Sequence, residues 1–92
     1  MTLIYLPWEI QSPIYDKERY FYVRRPCTAH GFTRNFYSIY IKYINKNWYS
    51  DSLGEWFDTE ELVKKSVDNF LIGEGHVLAA SEERAERLML LL

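Results

Sequence analysis

The chain holds only one cysteine, two histidines, three prolines and four glycines in 92 residues. The lone Cys27 excludes an intrachain disulfide. Small secreted domains lean on several such bridges, so a reducing compartment is expected. One Cys and two His (His30, His76) fall short of the four ligands of a structural zinc site, and Cys27-x-x-His30 is at most half of one. No orienting Asn or Asp stands out beside a Cys27–His pair, so no cysteine nucleophile is assigned. Gly73-Glu74-Gly75 lacks the Lys-Ser/Thr of a phosphate loop. The longest apolar runs, Val77 to Ala80 and Leu88 to Leu92, are far below the roughly 20 residues that span a bilayer. Pro7 and Glu9 interrupt the apolar start, so no leader is read there. The expectation is a soluble cytoplasmic protein, not an enzyme, without metal or cofactor.

What is present is unevenly placed. Fifteen of the sixteen aromatic residues lie in positions 1–57, and only Phe70 follows. Positions 1–50 carry seven Lys/Arg against three acids, and positions 51–92 carry four against ten. The first part is therefore +4 and the second −6, so the overall −2 excludes neither nucleic-acid nor protein partners. A chain this short forms one domain, 1–92, with an aromatic, basic, β-rich half (1–57) and an acidic, helical half (58–92).

Residues 2–6 read as a short first strand stopped by Pro7, and 8–16 as loop. Strand formers fill 18–25 up to Pro26, and 35–44 is the strongest strand signal. Asn45-Lys46-Asn47 reads as a tight hairpin turn into a strand opening at Trp48, and 51–54 as a second turn. Asp58 with Glu61 suggests a capping box, flanked by a Phe57/Leu62 staple. Leu62, Val63, Val67, Phe70 and Leu71 repeat at helical spacing, with Gly73 as terminator. Ser81 opens a second helix that places Ala85, Leu88, Met89 and Leu92 on one side. Residues 76–80 fit an edge strand or an early helix. The expected fold is α+β: a three- to four-stranded antiparallel sheet followed by two helices packed on one face.

Alternation then divides the long strands. Tyr37, Ile39, Ile41 and Tyr43 share one face of the second strand, and Phe36, Ser38, Tyr40, Lys42 and Ile44 the other. In the first, Phe21 and Val23 separate from Tyr20, Tyr22 and Arg24. With helices over the Ile/Val face, the open face would show Tyr20, Tyr22, Arg24, Phe36, Tyr40 and Lys42. Tyrosines with cations stack on bases and pair with phosphates, and they also anchor protein interfaces. No glycine-aromatic ribonucleoprotein pattern accompanies Arg19-Tyr20-Phe21-Tyr22-Val23. The acidic half invites nucleic-acid mimicry, yet Glu60–Lys64, Glu61–Lys65 and Glu83–Arg87 are i,i+4 pairs that compensate much of its charge. The Leu-rich end from Leu88 reads as docked in the core or against another chain.

A very short, aromatic-rich chain without catalytic motifs resembles, in size and profile, the small phage-encoded inhibitors of bacterial defence, anti-CRISPR proteins among them. That resemblance implies a stoichiometric inhibitor that docks on a host protein or nucleoprotein complex in the host cytoplasm and blocks nucleic-acid access. It carries over no residues. The expected binding set comes from the strands and helices themselves: Tyr20, Tyr22, Arg24, Phe36, Tyr40 and Lys42 as anchors, with Glu74, Glu82 and Glu86 meeting basic residues of the target. The alternative is a small nucleic-acid-binding regulator using the same face. A dimeric accessory protein held by the Leu-rich tail is the third reading, leaving monomer and homodimer both open.

Overall fold

The computed structural model describes residues 2–11, 20–27 and 37–91. In chain order the elements are β1 (Ile4–Tyr5), β2 (Glu9–Gln11), β3 (Tyr20–Arg24), β4 (Pro26–Cys27), β5 (Ile39–Ile44), β6 (Asn47–Ser50), β7 (Glu55–Phe57), α1 (Glu60–Gly73), β8 (Val77–Leu78) and α2 (Glu82–Met89). The class is α+β. Five strands form an antiparallel sheet in the order β2-β3-β5-β6-β7, and three short ones form a mixed sheet in the order β4-β1-β8.

The two sheets share one bent strand pair. Ile4 opposes Cys27 and Tyr5 opposes Pro26, and the Leu6 N–H donates to the Arg25 carbonyl at 2.7 Å. Further along, Glu9 opposes Val23, so Pro7 and Trp8 together face the single residue Arg24. That two-against-one count is a β-bulge, which bends the pair and re-aims side chains. Pro7 suits the position because it has no N–H to give a ladder. The stretch read as loop from Trp8 onward therefore contains a strand, β2. Only Ile10 of its three residues is a strong strand former, and the ladder to β3 supplies the order.

The hairpin between β5 and β6 turns at Asn45 (φ 51°) and Lys46 (φ 66°), with Ile44 opposite Asn47. Two successive left-handed residues match the twist of the flanking strands. The next turn closes through the Gly54 N–H to the Ser50 carbonyl at 2.8 Å, with Gly54 at φ 65°. It leads into β7, which carries the sheet to a fifth strand.

Helix α1 starts one residue later than the sequence suggests. Thr59, not Asp58, is the N-cap, and its hydroxyl accepts from the Leu62 N–H at 3.1 Å. The shift removes Glu61 from the capping-box position and Leu62 from the staple. Val63, Val67 and Leu71 are buried at spacing four, while Leu62 and Phe70 stay outside. The left-handed residue that ends the helix is Gly75 (φ 89°) rather than Gly73. Its N–H donates to Ile72 and that of His76 to Leu71, each at 3.0 Å, the paired bonds of a Schellman motif. Ser81 caps α2 as expected, its hydroxyl accepting from the Arg84 N–H at 3.1 Å. Residues 77–78 take the edge-strand option, running parallel to β1.

The helices differ from the expected arrangement in lying on opposite sides of the small sheet. Val63, Val67 and Leu71 of α1 cluster with Tyr5, Ile41 and Trp48. Ala85 of α2 clusters with Ile4 and Ala79, against Cys27, Leu88 and Met89. Ile4 and Tyr5 are neighbours in one strand and so point to opposite faces. Below, the α1 side is side A and the α2 side is side B. Leu88 and Met89 dock, whereas Leu90 and Leu91 are exposed.

Candidate binding face

Register decides which aromatic residues are free. Directly opposed residues share a face. Tyr22 opposes Ile41, and Arg24 opposes Ile39. Tyr43 opposes Trp48, which opposes Phe57. All of these lie on side A, under α1. Phe21 opposes Lys42, Lys42 opposes Tyr49, and Tyr49 opposes Trp56. With Tyr40 opposite Val23, these form side B. Among the described residues, α1 packs on side A and α2 on β1 and β4, so neither helix lies over the row Phe21–Lys42–Tyr49–Trp56.

The expected open face is therefore split between two sides. Tyr40 and Lys42 are on side B, both half-buried, with Tyr40 opposite the buried Val23. Tyr22 and Arg24 are on side A, because the register pairs them with Ile41 and Ile39, the residues expected to face the helices. Tyr20 pairs with Tyr43 in the ladder, but its side chain and all of Phe36 lie outside the described residues. Glu74, Glu82 and Glu86 are exposed. Sequence reasoning missed Phe21, Tyr49 and Trp56. The alternation Trp48-Tyr49-Ser50 and the strand-prone Glu55-Trp56-Phe57 were the available signals.

Side A holds two engaged cations, Arg24 and Lys64. Arg24, 6% exposed, donates from Nη1 to Asp68 Oδ1 at 3.3 Å and sits 5.8 Å over the Trp8 ring. Trp8 Nε1–H donates to the same Asp68 oxygen at 3.0 Å. The bulge at Pro7–Trp8 makes this three-way contact possible. Burial lowers the Arg24 pKa, and Asp68 only partly restores it. Burial likewise raises the Asp68 carboxyl, against the pull of Arg24, the Trp8 hydrogen bond and Lys64. In both partners desolvation outweighs attraction. Lys64 Nζ lies 3.6 Å over the Tyr22 ring and 3.3 Å from Glu60.

Side B is aromatic and nearly neutral at its centre. Tyr49 and Trp56 meet at 4.9 Å between ring centroids, tilted by 47°. Phe21 and Tyr40 meet edge to face at 5.9 Å. Lys42 Nζ pairs with Asp51 at 2.9 Å, both side chains nearly half exposed. Trp56, 57% exposed, is the most open ring of the group. At the α2 end of side B lies Cys27, whose thiol is pushed up by burial, then by Glu86 and Glu82. Helix α2, which carries both carboxylates, packs on the small-sheet end of side B through Ala85, Ile4 and Cys27. A raised thiol is a poor nucleophile at neutral pH. His76 Nδ1 accepts from the Leu3 N–H at 3.0 Å, tying the first strand to β8.

Among the described residues, no helix is long and apolar enough to cross a membrane. The chain matches no family model, no curated protein and no solved structure.

Proposed function

We propose that this chain is a small non-enzymatic binding protein that acts by covering a surface of a protein partner, with side B as the docking face. The supporting observation is the row Phe21–Lys42–Tyr49–Trp56, an aromatic sheet face that neither helix covers among the described residues, with Trp56 57% exposed. Tyr and Trp are favoured interface anchors because they bury large area at little rotamer cost. The single lysine in the row pairs with Asp51 at 2.9 Å, both side chains nearly half exposed.

Within that reading the partner is a host nucleoprotein complex, and the outcome of docking is blocked nucleic-acid access, as the resemblance to phage-encoded inhibitors implies. Direct binding of nucleic acid is disfavoured by the burial of Arg24 against Asp68 on side A. The test is capture from bacterial lysate, with and without nuclease, by the wild type and by Tyr40→Ala/Tyr49→Ala/Trp56→Ala. A defined protein complex that survives nuclease and is lost with the folded triple variant supports the reading. Unchanged capture by that variant, or recovery of nucleic acid alone, overturns it.

A further inference from the structure

The described residues contain two places where a cation meets an aromatic ring and a carboxylate together. Arg24 lies over Trp8 against Asp68, and Lys64 lies over Tyr22 against Glu60. Both are on side A. Side B holds the same kinds of group: the Tyr49–Trp56 pair, with Trp56 57% exposed, and Asp51 paired with Lys42, which opposes Tyr49 in the ladder. Here the carboxylate is held by a half-exposed lysine that an incoming group can displace. The far end of side B is bordered by Glu82 and Glu86, both exposed.

We infer that side B takes an arginine-bearing surface of its protein partner, a guanidinium stacking on Tyr49–Trp56 and pairing with Asp51 in place of Lys42. Arginine fits better than lysine. Its planar guanidinium is weakly hydrated, stacks on rings and binds a carboxylate through two parallel N–H bonds. The carboxylates at both ends of the face complement a basic surface and steer its approach. A nucleic-acid-binding groove presents such a surface, which links this chemistry to the blocking role. The inference rests on the reading of side B as the docking face.

The test uses the full chain, isotope-labelled, titrated with a hexa-arginine peptide and, in parallel, with hexa-lysine and a single-stranded oligonucleotide. Hexa-arginine is expected to shift the Trp56 indole N–H and the amides of Lys42, Tyr49 and Asp51 saturably, and hexa-lysine to act more weakly. Trp56→Ala weakens the peptide about fivefold, and Asp51→Asn weakens it about threefold. Lys42→Met strengthens it about threefold, because it releases Asp51. A phosphate-binding face would respond to Lys42→Met in the opposite sense.

Shifts confined to α2, no response on side B, or weakening by Lys42→Met each overturn the inference. If the captured partner depends on Tyr40, Tyr49 and Trp56 while hexa-arginine leaves side B unmoved, the arginine chemistry fails and the docking face stands. If neither depends on those rings, the docking face itself fails.

Discussion

Replacing Asp68 by alanine removes the acceptor shared by the Trp8 indole and the Arg24 guanidinium. Arg24 is 6% exposed, and its Nε is already buried without a hydrogen-bond partner among the described residues. Stranding one member of a buried pair costs about 3–5 kcal/mol. The Asp68 side chain keeps 26% exposure, so water replaces part of what is lost, and about 3 kcal/mol is expected. For a domain of this size that lowers Tm by about 12–24 °C. Asp68→Asn behaves differently, because its amide oxygen still accepts from Trp8 and Arg24. Burial raises the Asp68 carboxyl despite Arg24, so neutralising it relieves desolvation, and the Asn variant, which leaves Arg24 facing an amide dipole rather than nothing, should cost clearly less than the alanine variant.

The same raised carboxyl sets the sign of the pH dependence. Its folded pKa lies above an unfolded value of about 3.9. The native state therefore holds the proton more tightly, and this contribution is fully present below about pH 3.9. It is lost as pH rises through the folded pKa. Asp68→Asn has no such group, so wild type should lose stability relative to it on going from acid to neutral pH. Urea denaturation of wild type, Asp68→Ala, Asp68→Asn and Arg24→Met/Asp68→Leu gives the four values at each pH. The double apolar variant should recover most of the alanine loss. If Asp68→Asn costs as much as Asp68→Ala, charge rather than hydrogen bonding holds this corner, and the reasoning is refuted.

Two further outcomes are expected. Thr59→Ala should cost about 1 kcal/mol in denaturation, by loss of its bond to the Leu62 N–H, while Asp58→Ala should cost far less; the reverse order would restore Asp58 as the cap. The Cys27 thiol, raised by burial and by Glu86 and Glu82, should alkylate slowly at neutral pH. Glu82→Gln/Glu86→Gln should speed the reaction, and an unchanged iodoacetamide rate would remove those carboxylates from its surroundings.

Much of the local structure was legible because its causes are local. Asn45–Lys46 turns where two left-handed residues are needed, Ser81 caps the helix it precedes, and the 35–44 run yields β5 from its β-branched and aromatic residues. Even the local readings slipped by a residue or two at helix ends. Asp58 and Thr59 are both competent caps, and Gly73 and Gly75 are both competent terminators. Choosing between them depends on how α1 seats Val63, Val67 and Leu71 against the sheet.

By itself, the sequence determined the α+β class, the charge division and the alternation within each strand. The register between strands was settled only by the tertiary structure. A slip of one residue moves a whole strand's side chains to the other face, and alternation within β3 and β5 is compatible with either pairing. Tyr22 and Arg24 read as open beside Tyr40 and Lys42 until the ladder set them opposite Ile41 and Ile39. The bulge at Pro7–Trp8 then turned Trp8 toward Asp68, sixty residues away. Such a contact leaves no periodic trace in the chain, because it exists only once the bent strand pair and α1 have packed together.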